Sequence, residues 1–285
     1  MINLLLLITV IFWGLSFIAT KMALQYLNPI DIIAIRLLLG TPMLYLVILI
    51  KKIDISFKKK EYLIILIASV ILGLHFLIQA FGLQYTSATN TAWLVATIPI
   101  FIAVFSAICL KERLNLPKIG GIVLATFGVI VLVSEGKLSG LGWLNSVGDW
   151  IILSSSITWA TYTILTRNIT RANNPLAISL SILVLPALLL NAYSAYTTPI
   201  SKILNLPASI IVALIFLGVF CLGLAHWFWL EGLSRKAATS VGVYIYIEPV
   251  VTTIAAIPIL NEQLNLFTAL GAILIVAGVY IVQKL

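Results

Sequence analysis

Charge is scarce in this chain. Of 285 residues, 17 are lysine or arginine and 9 are aspartate or glutamate. Together they make 9% of the sequence, against ~25% in soluble domains. Hydrophobic residues make up 62%, more apolar surface than an aqueous fold of this length can hide, so the solvent is lipid. Cysteine is nearly missing. Cys109 and Cys221 stand alone inside apolar runs with no CxxC partner, which excludes a disulfide framework and suggests a small buried hydrophobe at each position. The two histidines, His75 and His226, lack a carboxylate at ligand spacing. Neither a metal site nor a cofactor is expected. GxSxG, HExxH, the phosphate-binding P-loop and paired catalytic carboxylates are absent, so the chain does not read as an enzyme, nor as a pump carrying its own ATPase. Long polar loops are missing too: the longest, around Lys51–Lys60 and Glu135–Gly148, are too short for a soluble catalytic domain.

What is present is apolar runs of membrane-crossing length. A span needs ~20 largely apolar residues. Breaks in hydropathy give ten predicted helices, roughly 3–26, 30–50, 62–84, 87–110, 117–134, 146–168, 174–196, 207–231, 236–260 and 266–283. None alternates as a lipid-facing barrel strand does. The first run has no cationic leader before Leu4 and no small-residue cleavage site, and reads as a retained span. With the N-terminus in the cytoplasm, every basic residue except Lys21, Arg36, Lys137 and Lys202 falls on the inner side. That is the positive-inside bias. It places both termini in the cytoplasm of a multi-pass protein of the cell (inner or plasma) membrane. The basic residues are scattered over short loops, so they act as topology signals, and nucleic acid is not an expected partner.

The chain also repeats itself. Lys111-Glu112-Arg113-Leu114-Asn115-Leu116 returns as Asn261-Glu262-Gln263-Leu264-Asn265-Leu266, an offset of about 150 residues. Leu72-Gly73-Leu74 matches Leu222-Gly223-Leu224, Pro99 matches Pro249, and Gly121 and Gly128 match Gly271 and Gly278. Trp13 pairs with Trp159 and Pro29 with Pro175 at a slightly shorter offset. Two units follow, 1–137 and 146–285, each of five helices. Five is odd, so the second copy would enter the membrane inverted, with a central cavity between the copies. Small residues at Gly121, Ala125 and Gly128, and at Gly271, Ala277 and Gly278, suit close helix packing. Packing inside a monomer is the favoured reading and a homodimer contact the alternative.

Within this scaffold the polar residues are candidates for substrate contact. Thr9, Trp13, Ser16 and Thr20 share one face of the first helix, and Ser155, Trp159, Tyr162 and Thr166 share the equivalent face of the sixth. Such stripes face protein or water rather than hydrocarbon. They could wall a cavity, or they could serve interhelical hydrogen bonding. His75 and Gln79 lie one turn apart on the third helix, and His226 stands beside Trp227 and Trp229 on the eighth. Glu248 sits mid-span, where a carboxylate is costly and signals function. It is a candidate for binding a substrate amine or a proton, unless it is merely hydrogen-bonded to Tyr244. Pro249 follows it, and Pro99 occupies the symmetric position, so both are candidate hinges. Lys21 and Arg36, near outer helix ends with Asp31 close by, read as a structural pair or snorkelling cations, with a gate or anion-attracting vestibule as the alternative. No basic residue is expected in the cavity at mid-depth. Glu112 and Glu262 read as capping the turn into the next helix, with Asn115 and Asn265 as N-caps. Glu231 and Arg235 read as a surface pair.

Taken in order, Trp13-Gly14-x-Ser16 with Lys21, Pro29 with Arg36, Ala88-Thr89, Pro99, the Leu110-Lys-Glu112-Arg113 exit, Trp159-Ala160-x-Tyr162, Pro175, Glu248-Pro249, Glu262, and Gly271 with Gly278 resemble the drug/metabolite transporter superfamily, in particular its EamA-type ten-helix exporters. The resemblance spans essentially the whole chain. It implies an all-α membrane protein whose central cavity is lined by helices one, three, four, six, eight and nine. It also adds Trp93 to the candidate lining, and it places His75 there. The implied activity is alternating-access export of small metabolites, amino acids first. A nucleotide-sugar or phosphate-ester exchanger and a channel-like facilitator are the alternatives. Any proton coupling would run through Glu248 or the histidines. Arg36 has Ile182 at its symmetric place, so a symmetric charged gate is not expected.

Overall fold

Local sequence starts many of the helices. Asn28 accepts the Asp31 N–H at 2.9 Å through its side chain, with Pro29 in the first turn. Asn174 and Pro175 repeat that arrangement on the Leu176 N–H, also at 2.9 Å. Ser87 caps through the Asn90 N–H, and Ser146 forms a reciprocal capping box with Asp149. Each side chain satisfies an otherwise orphaned donor of the first turn.

The computed structural model describes residues 1–134, 146–260 and 266–284. These form α1 (Ile2–Ala23), α2 (Pro29–Lys51), α3 (Lys59–Gln84), α4 (Ala88–Val95), α5 (Ile98–Cys109), α6 (Leu116–Ser134), α7 (Val147–Ala172), α8 (Pro175–Thr197), the short α9 (Ile200–Leu204), α10 (Ala208–Ile215), α11 (Ala225–Arg235), α12 (Ala238–Gly242), α13 (Glu248–Leu260) and α14 (Leu266–Gln283). A π-helical stretch, Phe216–Leu224, joins α10 to α11, and a 3-10 stretch, Val243–Ile247, joins α12 to α13. The described residues contain no strand. Seven of their helices are long and apolar enough to cross a membrane, counting α4–α5, α10–α11 and α12–α13 as single rods. α6 and α14 contribute shorter apolar stretches, Leu116–Leu132 and Ala269–Gln283.

α7 falls outside the seven although it has 26 residues, about 39 Å at 1.5 Å per residue. It is rich in hydroxyls, and Ser155, Ser156, Thr163, Thr166 and Thr170 are fully buried. α7 packs against α3, α4, α5 and α11, so its neighbours are protein and its sequence need not be lipophilic.

Three predicted helices are interrupted, each for a physical reason. Proline at 99 has no N–H to offer the Val95 carbonyl, and the chain turns at Ala96 and Thr97 before α5 begins. Pro249 cannot donate to Ile245. The Glu248 N–H takes that carbonyl instead, one residue early, and the helix tightens to 3-10. In the eighth predicted helix, Gly218 and Gly223 lie in the π stretch, close against α2. A Cβ on Gly218 would sit 2.7 Å from Leu39 Cβ and 3.1 Å from the Arg36 carbonyl.

α6 and α14 lie face to face with interleaved glycines. A Cβ on Gly278 would meet the Gly121 carbonyl at 2.5 Å, and one on Gly128 would meet the Gly271 carbonyl at 2.9 Å. The small-residue seam is therefore filled within one chain.

Other expectations need correcting. Cys221 is buried, but Cys109 is exposed, because it ends α5 on an outward face. Asp31 binds neither Lys21 nor Arg36. It accepts hydrogen bonds from Asn28, Ser194 (2.6 Å) and Thr198 (2.9 Å). Lys21 instead donates to the carbonyls of Leu83 (2.8 Å) and Thr86 (2.6 Å) at the end of α3. Glu112 does not cap the helix after it. Its carboxylate accepts from the Ala238 N–H (2.8 Å) and the Thr239 hydroxyl (3.0 Å), at the start of α12. Asn115 accepts the Lys118 N–H at 3.0 Å, as an N-cap does, and Glu231 pairs with Arg235. Lys137, Glu262, Gln263 and Asn265 lie outside the described residues.

Candidate functional site

Glycine at 14 allows a close approach of two helices. A Cβ there would come within 2.9 Å of Val251 and 3.0 Å of the Glu248 carbonyl, so α13 can press on α1 only because none exists. The Thr252 hydroxyl lies between the Gly14 carbonyl (2.8 Å) and the Glu248 carbonyl (2.9 Å). This clasp holds the first turn of α13, and Glu248 with it, against α1.

Beside the clasp is a narrow, partly open cavity. Trp13 and Ser16 of α1, His75 and Gln79 of α3, Trp159 of α7, His226 of α11 and Glu248 of α13 line it. So do Phe17, Arg36, Phe76, Val95, Ile98, Cys221 and Ile245. Part of its wall is aromatic. The Trp13 and Trp159 rings meet edge to face at 5.0 Å, His75 lies 4.9 Å from Trp159, and Trp229 closes behind both tryptophans at 5.2 and 5.7 Å.

Several polar groups in this wall are fully engaged. The Trp13 indole N–H donates to the Cys221 carbonyl at 2.9 Å, inside the π stretch. Ser16 donates to the Trp13 carbonyl at 2.7 Å. His226 is held at both nitrogens, by the Tyr162 hydroxyl and the Ser179 hydroxyl, each at 2.6 Å.

Others are not engaged. His75 Nδ1 lies 3.1 Å from both the Ser155 carbonyl and Thr158 Oγ1. The carbonyl can only accept, and the threonine proton already goes to that carbonyl, so Nδ1 carries the hydrogen. In the neutral ring Nε2 is then a bare acceptor, and it has no partner among the described residues. The Trp159 indole N–H and Arg36 Nε are buried without a partner. Neither Gln79 nor the Glu248 carboxylate makes a side-chain hydrogen bond among the described residues, and Glu248 is only 2% exposed. Buried polar groups in native proteins are nearly always paired, and here Trp159 and Arg36, each with an unpaired nitrogen, line one cavity with Gln79 and Glu248.

The remaining candidates sit elsewhere. Trp93 is not among the residues lining the cavity and packs against the core cluster that joins Val243 and Tyr246 to α6 and α14. Tyr162 stands behind the wall, holding His226. Tyr244 is buried in the core and makes no bond to Glu248. Thr9, Ser155 and Thr166 bond backbone carbonyls, and of the two stripes Trp13, Ser16 and Trp159 line the cavity. Pro99 and Pro249 each stand in the first turn after a helix break.

Arg36 lines the cavity too, although the sequence offers it first as a structural pair or snorkelling cation. It is 6% exposed, lies over the Phe76 ring at 5.6 Å, and lines the same cavity as Glu248. Its place near the start of α2 suits the vestibule alternative rather than a cation at mid-depth. A lone arginine two turns into an apolar run carries the same signal that singled out Glu248. Its proximity to Asp31 in sequence masked that signal.

The sequence matches the EamA-like transporter family over residues 1–134 and again over 146–283. The chain belongs to that family. Similar to this EamA-like protein is an uncharacterized transporter of Archaeoglobus fulgidus, 29% identical, the match covering 98% of this chain and 96% of that protein. The uncharacterized transporter YcxC of Bacillus subtilis is 31% identical, with 93% and 87% covered, and YyaM of the same species is 27% identical, with 94% and 89% covered. A solved protein crystal structure shares the fold at a TM-score of 0.79, with 17% identity, covering 99% of this chain and 97% of that one. The chain is thus a multi-pass membrane transporter.

Proposed function

We propose that this protein is a secondary carrier that exports small metabolites, amino acids above all, by alternating access. In this reading the seven long apolar helices, with α6, α7 and α14, make ten crossings. They form two inverted five-helix units, 1–137 and 146–285, in the cell membrane with both termini in the cytoplasm. The units would rock about the midplane site, with the breaks before Pro99 and Pro249 as hinges. The observation that supports this reading is the cavity itself: tryptophans from both units line it together with an arginine and a glutamate, Arg36 and Glu248. Any proton coupling would involve Glu248, His75 or His226.

Arg36 lends specific support to a second reading, exchange of phosphate esters, which requires a cation in the cavity. Glu248 in the same cavity opposes it, because a phosphate ester approaching two negative charges would meet a carboxylate where a second cation is needed.

Counterflow in proteoliposomes tests the proposal. Vesicles preloaded with an unlabelled amino acid should accumulate the labelled one transiently and saturably. Flux that never saturates and shows no trans-stimulation would mean a pore, and uptake of phosphate esters in place of amino acids would favour the exchanger.

A further inference from the structure

Arg36 and Glu248 carry opposite formal charge, are both more than nine-tenths buried, and line one cavity from α2 and α13. Yet they form no ion pair. The salt bridge found among the described residues is Arg235 with Glu231. Opposite charges in a poorly solvated interior attract strongly, and leaving each uncompensated is costly. The backbone around each is fixed: the Gly14–Thr252 clasp holds the turn of Glu248, and the π stretch packs against α2 at Arg36 and Gly40. The Phe76 ring backs the guanidinium. The two side chains thus line one cavity from different helices without a hydrogen bond or ion pair to each other among the described residues.

We propose that Arg36 and Glu248 form a split ion site for an α-amino acid zwitterion. The Arg36 guanidinium takes the substrate carboxylate through charge-assisted hydrogen bonds, and the Glu248 carboxylate takes the ammonium. A zwitterion bridges the two and neutralises both at once. A simple amine or a simple carboxylate neutralises one and leaves the other charge buried and unpaired. Recognition is thus a rejection device as well as an attraction. The Trp13–Trp159 wall receives the side chain, and the bare Nε2 of His75 offers one more acceptor.

This inference rests on the amino-acid reading, and the test separates the two. The purified full chain is screened by thermal shift against the twenty amino acids, because a ligand that binds the folded state raises the midpoint. For the amino acid with the largest shift, dissociation constants are measured with three probes: the amino acid, its amide and its des-amino acid. Wild type should bind both analogues at least about tenfold more weakly, the range expected for loss of one charge-assisted bond. In Arg36→Gln the amino acid and its amide should bind alike. In Glu248→Gln the amino acid and its des-amino acid should bind alike. If no amino acid shifts the midpoint, the amino-acid reading itself fails. If amino acids bind but wild type does not discriminate against either analogue, the split site is overturned without recourse to any variant. Retained discrimination against the amide in folded Arg36→Gln, or against the des-amino acid in folded Glu248→Gln, overturns it equally. Arg36→Lys and Glu248→Asp keep each charge and should keep the discrimination.

Discussion

His226 lies in the wall of the cavity with both ring nitrogens engaged, by the Tyr162 and Ser179 hydroxyls. A neutral imidazole donates at one nitrogen and accepts at the other, so one hydroxyl must accept and the other donate. His226 therefore ties α7 and α8 to α11 and shapes the wall as a positioning residue. Tyr162→Phe removes one partner and leaves a buried nitrogen unsatisfied, at a cost of about 1–3 kcal/mol. The expected result is a lower thermal midpoint in detergent with little change in ligand affinity. Tyr162→Phe combined with Ser179→Ala should depart from additivity, because both hydroxyls serve one ring. An additive double variant would mean that the ring does not couple them. His75 contrasts with His226, since it lines the same cavity and its second nitrogen has no partner among the described residues. Nothing in the spacing of two lone histidines distinguishes a fastener from a contact, and each role depends on which hydroxyls the fold brings up.

At the level of elements, the prolines were legible as breaks, but the consequence for Glu248 was not. Pro249 forces the 3-10 stretch Val243–Ile247, and a 3-10 helix advances 120° per residue instead of about 100°. Over that stretch the difference is large enough to decide which wall the carboxylate joins. Pro249→Ala restores the missing N–H and lets the α-helix run through. The expected outcome is a folded protein whose counterflow falls at least about tenfold. Pro99→Ala relaxes the matching break, where Ile98 stands in place of an acid, and should cost less. Equal losses in the two variants would show that both act as hinges and that the placement of Glu248 is not what Pro249 provides. The π stretch had no such sequence mark. Gly218 and Gly223 are visible, but that they admit α2 at Arg36 and Gly40 follows only from packing.

Across the whole molecule, the α6–α14 seam is packed within one chain. Gly121 with Gly278, and Gly128 with Gly271, already meet inside one chain, so this seam is not free to hold a second copy. Gly278→Val overfills it, and overpacking costs typically 1–3 kcal/mol or more. The expected result is a lower thermal midpoint with no change in the mass of the detergent-solubilised particle. A drop in mass with an unchanged midpoint would instead make the seam an interface between copies. Glu112 belongs to the same scale: it leaves α5 and closes the start of α12, linking the two halves of the chain where the sequence suggested only a local cap.

Sequence alone determined the solvent, the helical class, the start of most helices and the duplicated landmarks. Hydropathy, capping and the positions of proline and glycine are local properties, and each is readable within a few turns. The cost of a mid-span carboxylate is local too, which is why Glu248 was legible. What only the tertiary structure decided is which polar residues share one space. Arg36 joined Glu248 because the π stretch packs on α2, while Trp93 packs instead against the cluster of α6 and α14. Those outcomes depend on contacts between residues far apart in the chain, and helical periodicity carries no information about which faces of distant helices will meet.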